Sequence, residues 1–250
     1  MIRPKTDKEI EVMRQGGQLL GQILASLAKE VEPGVTPKDI SKIAASKIEK
    51  ADLQAVLLGY EGFSDVMCIS TNDAIVHGLP NKTPFKKGDV VKLDLTVAYK
   101  GLVVDSALTV IAGEEPAGDK KRLLEGTKRS LEAGIAAIRG DGTRVGDIAS
   151  AVQEVLDEYK LGIIRDLVGH GIGEHIHEEP NVPNYGVAGT GPILPAGATI
   201  CVEPMATLGG WQISVAKDKW TINVADGSLG AHFEHTVLVT DKGAEILTLV

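Results

Sequence analysis

Four segments of the chain carry hydrophobic residues at the spacing of an amphipathic helix, and these segments fall into two pairs. Residues 6–29 carry the first pattern. A second helix is predicted to begin at Thr36 and Pro37, because threonine is a favoured N-cap and proline suits the first helical turn. The second pair of helices is predicted at residues 120–138 and 145–159.

Strand-like apolar runs follow each pair of helices. After the first pair they occupy residues 55–58, 66–70, 89–98 and 102–111. Tyr99, Lys100 and Gly101 separate the last two runs, which predicts a hairpin. After the second pair, strands are predicted at residues 199–203, 211–214, 221–224 and 232–240. The repeated order of helices and strands predicts two similar halves, about residues 1–115 and 116–250.

Short sequence matches in the same order support an internal duplication. The segment GDVVKLD lies over GATICVE, and DSALTV lies over EHTVLV. These matches pair Asp94 with Glu203 and Asp105 with Glu234. Because the matched elements end in the same kinds of polar residue, the halves are predicted to form one domain over residues 1–250.

The four paired acids stand in otherwise apolar strands. A carboxylate in a buried strand costs free energy unless it is paired or bound to a cation. For any single acid, an outward-facing side chain on a half-exposed strand is the competing interpretation. Asp94 and Asp105 lie on adjacent strands of one hairpin, and the duplication would bring Glu203 and Glu234 against them. Four converging carboxylates therefore favour a cluster of divalent cations.

The histidines strengthen the case for a metal site. All six lie outside the predicted helices: His77, His170, His175, His177, His232 and His235. A lone histidine is more often structural than a ligand, but His170 stands between glycines that allow close backbone approach. Carboxylate oxygens with one imidazole suit Mn, Fe, Co or Zn better than a soft copper site.

Composition and missing motifs exclude several classes of protein. The 250 residues carry a formal net charge of −8, which argues against nucleic acid as the main partner. Two cysteines, each flanked by apolar residues, indicate buried thiols in a reducing compartment. No signal peptide or membrane span is evident, so a cytoplasmic protein without membrane contact is expected. The metalloprotease His-Glu-x-x-His, the phosphate-binding loop and the serine-hydrolase Gly-x-Ser-x-Gly are all absent from the sequence.

Segments distributed over essentially the whole chain resemble type I methionine aminopeptidase: GYEGF, VHGLP, KLDLTV, GLVVDSA, GHGIGEHIHEEP, VEPM and FEHT. The resemblance implies the pita-bread fold, an α/β (α+β) fold with pseudo-twofold halves, a central antiparallel sheet and outer helices. It also implies a dinuclear metal site with five ligands: Asp94, Asp105, His170, Glu203 and Glu234. In the family, the second aspartate and the last glutamate bridge the two ions.

The resemblance implies a substrate site as well. His77 and His177 match the histidines that contact the substrate and stabilise its transition state. The apolar methionine pocket is matched by Tyr60, Phe63, Cys68 and Trp220. Ile176 stands where the family usually has phenylalanine, which makes the pocket wall smaller, and His175 is not a usual motif residue. Neither a zinc-binding N-terminal extension nor the helical insertion of type II enzymes is expected.

The expected activity is that of a metalloaminopeptidase that removes the initiator methionine from nascent proteins. A metal-bridging water or hydroxide would be the nucleophile and Glu203 its proton carrier, with His77 and His177 as the other catalytic residues. The expected cofactors are two divalent ions (Co, Mn, Fe or Zn). The expected partner is a nascent peptide with an N-terminal methionine, bound by a monomer, and ribosome contact is compatible with such a substrate.

Two alternatives remain open at this stage. One is an Xaa-Pro-directed aminopeptidase or prolidase of the same fold, although such relatives normally carry a large N-terminal domain. The other is a non-catalytic pita-bread binding protein, although such relatives typically lose metal ligands and all five are present here.

Overall fold

The computed structural model describes residues 2–249 of the chain. Its helices are α1 (Asp7–Ala28), α2 (Pro37–Lys50), α3 (Gly118–Ala136) and α4 (Val145–Glu158). The strands of the first half of the chain are β1 (Gln54–Ala55), β2 (Cys68–Thr71), β3 (Ala74–Val76), β4 (Val90–Tyr99) and β5 (Leu102–Ile111). The later strands are β6 (Gly162–Ile163), β7 (Gly169–Gly171), β8 (Glu178–Val182), β9 (Thr199–Val202), β10 (Met205–Thr207), β11 (Ile213–Val215), β12 (Ile222–Val224), β13 (Gly230–His232), β14 (Glu234–Val239) and β15 (Ala244–Ile246).

All four predicted helices are confirmed, and local capping explains where the first two begin. Thr6 and Thr36 each accept a hydrogen bond from the backbone N–H three residues later, and an acidic side chain there bonds back to the cap. This reciprocal capping box satisfies two backbone donors that the helix itself leaves unpaired. The third helix begins at Gly118, slightly before the predicted start.

The central sheet is antiparallel and has the strand order β1-β4-β5-β14-β9-β7-β8, with β2 on β4 and β15 on β14. The predicted hairpin is confirmed: β4 and β5 pair from Val90 opposite Ile111 to Tyr99 opposite Leu102. Lys100 and Gly101 turn the chain with φ of +48° and +84°. This left-handed backbone matches the twist of the flanking strands. The α/β fold class with an antiparallel sheet is therefore as predicted.

Two apolar clusters attach the helices to the sheet. The first joins α1 and α2 to β4 and β5 through buried side chains such as Leu20, Ile40 and Val97. The second joins α3 and α4 to β9 and β14 through buried side chains such as Ile148 and Ile200. Since successive side chains of a strand point to opposite faces, the helices cover one face and leave the other for polar groups.

Several predicted strands differ in the structure. The run at 232–240 is broken at Phe233: β13 pairs with β10 in a small separate sheet, and β14 joins the central one. The run at 55–58 reduces to Gln54–Ala55, and the run at 211–214 begins later, at Ile213. The glycine-rich strand β7 was not predicted, because glycine carries no β-strand signal.

Candidate active site

Three of the predicted acids meet on the open face of the central sheet. Strand register places Asp94 and Glu234 opposite the same residue, Ala107, from the two neighbouring strands. Asp105 lies on β5 itself, two residues from Ala107 and therefore on the same face. Carboxylate oxygens of all three acids lie within 4.8 Å of one another. The sheet thus forms a compact cluster of three of the four acids that were predicted to converge.

Hydrogen bonds hold Asp105 in a fixed orientation. The Thr96 hydroxyl donates to Oδ2 over 2.8 Å, and the Ser106 backbone N–H donates to Oδ1 over 2.9 Å. Thr96 is registered directly opposite Asp105 across the hairpin, so this contact follows from the strand pairing. Each oxygen keeps further lone-pair capacity for a cation, since an ionised carboxylate accepts about four bonds.

His170 and Glu203 approach from the neighbouring strands. The Nδ1 of His170 lies 3.0 Å from the Gly171 carbonyl oxygen, which assigns the proton to Nδ1 and leaves Nε2 free to bind. That Nε2 lies 3.4 Å from Oε1 of Glu203. The glycines flanking His170 are required by packing: a Cβ at Gly169 would collide with the Cys201 carbonyl, and one at Gly171 with that of Glu179.

Cys201 completes a second group of candidate ligands. Its sulfur, a ring nitrogen of His170 and a carboxylate oxygen of Glu234 lie within 4.8 Å of one another. Burial, and then the charge of Glu234, raises the pKa of this thiol well above its usual range. The sequence reasoning placed Cys201 in the core, and it is fully buried. Its position beside metal-ligand candidates was missed.

The cluster carries more negative charge than its surroundings compensate. Burial raises the pKa values of Asp94, Glu203 and Glu234 well above their usual range, and neighbouring carboxylates raise them further. Burial also raises the pKa of Asp105 to about 6, against the hydrogen bond from Thr96. Oε1 of Glu234 is buried without a hydrogen-bond partner among residues 2–249. Oxygen donors in excess, one imidazole and an orphaned carboxylate oxygen fit divalent cations.

Two further histidines face this cluster. His77 adopts a φ of +57°, an uncommon backbone conformation for a residue other than glycine. Burial lowers its pKa to about 4, so its imidazole is neutral at pH 7. The His177 ring packs edge-on against the His170 ring with centroids 4.5 Å apart. Its Nδ1 lies 3.4 Å from the Tyr60 hydroxyl, which orients the ring.

An apolar cavity of about 400 Å³ opens beside the acids. Phe63 and Trp220 meet edge-to-face with ring centroids 5.1 Å apart, and Ile176 lines the wall with 7% of its surface exposed. All eleven residues that the sequence singled out line this one cavity: Tyr60, Phe63, Cys68, His77, Asp94, Asp105, His170, His177, Glu203, Trp220 and Glu234. His175 does not line it and is exposed.

Other cavity residues received no role from the sequence. His232 was recognised only as a histidine near an acid, and Thr96 follows Asp94 by two residues, which is the strand period that identifies a shared face. Glu61, in a short 3-10 helix (Tyr60–Gly62), and Asp166, in a loop, border the cavity from segments too short to carry a periodic signal. These residues reach the cavity because of how the chain folds, and no local sequence motif marks them.

This combination of fold and site defines a metal-dependent hydrolase built on an antiparallel sheet with paired outer helices. The chain belongs to metallopeptidase family M24, whose model matches residues 11–241. A methionine aminopeptidase from Clostridium acetobutylicum is 40% identical over 252 residues, covering 100% of this chain and 99% of the relative.

Solved structures agree with this placement. The crystal structure of methionine aminopeptidase from Thermotoga maritima superposes with a TM-score of 0.97 at 41% identity, with 100% of both chains covered. A prolidase from Pyrococcus furiosus has a TM-score of 0.78 at 21% identity, covering 99% of this chain and 65% of its own, and shows a shared fold alone. The resemblance and the pita-bread fold expected from the sequence are thus confirmed. No helix among residues 2–249 has the length and apolar character of a membrane span.

Proposed function

We propose that this protein removes the N-terminal methionine from peptides by metal-dependent hydrolysis, and that its substrates are nascent proteins carrying the initiator methionine. The observation that carries the proposal is the single cavity in which a carboxylate cluster adjoins an apolar, aromatic-lined space. A thioether side chain suits such a space, because methionine is flexible and makes favourable contacts with aromatic rings.

The five residues that would hold the metal are Asp94, Asp105, His170, Glu203 and Glu234. We propose two divalent ions, because two groups of candidate donor atoms share Glu234: one contains Asp94 and Asp105, and the other contains His170 and Cys201. Glu203 adjoins the second group, with Oε1 3.4 Å from Nε2 of His170. Co, Mn, Fe or Zn suits these oxygen and imidazole donors. When bound, such ions supply Lewis acidity and make a water molecule acidic enough to attack a carbonyl near neutral pH.

The surrounding side chains provide the remaining chemistry. His177 reaches the cavity from the side of Tyr60, and we propose that it donates a hydrogen bond to the scissile carbonyl oxygen as negative charge develops there. His77 would contact the amide nitrogen and assist the departure of the leaving amine. Glu203 lines the same cavity as His77 and His177, and we propose that its carboxylate also carries a proton to that nitrogen.

The pocket wall would determine selectivity for the first residue. Tyr60, Phe63, Cys68 and Trp220 line the apolar part of the cavity, together with Ile176. Adding or removing one methylene group of the substrate side chain in such a pocket changes kcat/KM by about 10–200-fold. We expect methionine to be strongly preferred over leucine or alanine. As further parts of the proposal, the protein acts as a cytoplasmic monomer formed by one domain, and ribosome contact fits its substrate.

The test is reconstitution of chelator-treated protein with Mn²⁺, Co²⁺, Fe²⁺ or Zn²⁺, followed by assay of Met-Ala-Ser. Metal content is measured in parallel, and the matched control is Glu234→Gln, which keeps the side-chain shape but removes the shared charge. We expect wild type to release methionine. We expect the activity of the variant to be about 10²–10³-fold lower than that of wild type, because loss of one catalytic electrostatic group typically costs that much. Turnover of Xaa-Pro peptides without turnover of Met-Ala-Ser would contradict the proposal, and so would the absence of bound metal.

A further inference from the structure

One buried histidine of the cavity has no role in the chemistry described so far. His232 ends strand β13 with 2% of its surface exposed. Both of its ring nitrogens are buried without a hydrogen-bond partner within residues 2–249. Burying a polar group without a partner costs free energy, and native proteins rarely do so without a functional reason. A leucine of similar size would satisfy packing alone.

The backbone holds the His232 ring in a fixed place. The Thr109 hydroxyl donates to its carbonyl oxygen over 2.6 Å, and its backbone N–H lies 3.0 Å from the same hydroxyl oxygen. Strand pairing also registers His232 opposite Met205, two residues after Glu203. These contacts fix the backbone of His232, from which the ring reaches to within 3.5 Å of Glu203.

The two oxygens of Glu203 each face an imidazole. Nε2 of His232 lies 3.5 Å from Oε2, and Nε2 of His170 lies 3.4 Å from Oε1. His170 already donates through Nδ1 to a backbone carbonyl, so its Nε2 is the nitrogen available to a cation. Nε2 of His232 makes no hydrogen bond within residues 2–249, and a small movement of the Glu203 carboxylate would bring Oε2 within hydrogen-bond distance of it. His170 is thus available to bind a cation beside Glu203, whereas His232 is available to donate a hydrogen bond to Glu203.

We propose that His232 is a positioning residue: when metal is bound, its Nε2 donates a hydrogen bond to Glu203 and fixes the orientation in which that carboxylate binds the metal. This role rests on the metal-dependent function proposed above. Partners that orient a metal-binding carboxylate from outside the ligand set typically change metal affinity by about 10–100-fold when they are removed.

The experiment compares His232→Leu with His232→Gln in chelator-treated, full-length protein titrated with Mn²⁺ in a calorimeter. Leucine removes the donor, and we expect Mn²⁺ affinity to fall by about 10–100-fold. Glutamine keeps a donor of similar reach, and we expect it to restore most of that affinity. Because leucine removes an unsatisfied buried polar group, the metal-free His232→Leu protein should melt at the same temperature as wild type or higher.

A matched control comes from His235, whose Nδ1 lies 2.9 Å from the Thr248 hydroxyl and whose ring lies outside the cavity. His235→Leu should lower the melting temperature of the metal-free protein and leave Mn²⁺ affinity unchanged. This control separates loss of stability from loss of metal binding.

Two results would overturn the role of His232. One is wild-type Mn²⁺ affinity in His232→Leu, and the other is a glutamine variant that binds as weakly as the leucine variant. If wild type itself bound no Mn²⁺, the metal-dependent function would fail first, and the role of His232 would fail with it. The wild-type titration therefore distinguishes the two failures.

Discussion

Replacing Asp105 by asparagine should change how the stability of the metal-free protein depends on pH. The substitution removes a carboxyl that titrates but keeps its shape. Asparagine Oδ1 can still accept from the Ser106 N–H, and its amide can donate to the Thr96 hydroxyl, which is able to reverse its role. The difference between wild type and variant therefore reports the titration of Asp105 together with its effect on the pKa values of Asp94, Glu203 and Glu234, which the Asp105 charge raises.

The magnitude follows from the raised pKa of this carboxyl. Burial raises the pKa of Asp105 from 3.8 to about 6 in the folded, metal-free protein. At about 1.4 kcal/mol for each pH unit, the linked free energy is about 3 kcal/mol. Because the folded state holds its proton more tightly, this stability is fully present below pH 4. It is lost as pH rises through about 6.

The assay is urea unfolding of chelator-treated wild type and Asp105→Asn between pH 4 and pH 8. We expect wild type to lose about 3 kcal/mol relative to the variant across this range. Buried histidines such as His170, whose pKa burial lowers to about 4, titrate in both proteins and largely cancel in the difference. Saturating Mn²⁺ should reverse the trend for wild type, because cations bind the ionised carboxylate and release its proton. A pH-independent difference, or one of opposite sign, would refute the reasoning.

Three other substitutions test separate parts of the structure. His177→Ala should lower kcat for Met-Ala-Ser by about 10²–10³-fold with unchanged Mn²⁺ affinity by calorimetry, and unchanged kcat would remove His177 from the chemistry. Lys92→Met should raise the free energy of unfolding in urea by about 1–4 kcal/mol, because it removes a buried charge. The carbonyl groups that Lys92 contacts would keep their backbone N–H donors. A lower free energy of unfolding in the variant would contradict this prediction. Lys5→Met should cost about 1–3 kcal/mol in the same assay, because Glu178 would lose its buried cation and keep only the backbone N–H groups of Glu174 and His175. An unchanged midpoint would show the ion pair to be dispensable.

Elements with strong local signals were predictable from the sequence. The helix after Thr36 and Pro37 begins where predicted, because capping depends on neighbouring residues. The strand at Leu102–Ile111 has its predicted bounds, since a turn residue that tolerates positive φ precedes it. The break at Phe233 was not predictable, because it depends on which sheet each half of that segment joins.

The site shows the same division between local and long-range information. The resemblance identified eleven residues of the cavity, and nine of them stand in short motifs; Cys68 and Trp220 do not, and His232 received no role from the sequence. Their partners were missed: Cys201 lies beside His170 through pairing of β7 with β9. Lys92 stands in an otherwise apolar run of the sequence, yet its ammonium is buried against backbone carbonyls. Such contacts depend on strand register, which a single sequence leaves open.

The unsatisfied groups of the cavity have a common consequence for folding. The orphaned oxygen of Glu234, the unpaired ring of His232 and the crowded carboxylates all lower the stability of the metal-free chain. Bound cations would satisfy the carboxylates, and a ligand at 100 times its Kd adds about 2.7 kcal/mol of stability. The same arrangement that would concentrate negative charge for catalysis would thus make the stability of the folded protein depend on bound metal. A sequence that keeps these groups for metal binding is therefore less stable without metal than one with apolar residues in their place. This difference explains why Glu234 and His232 retain polar atoms without partners within residues 2–249.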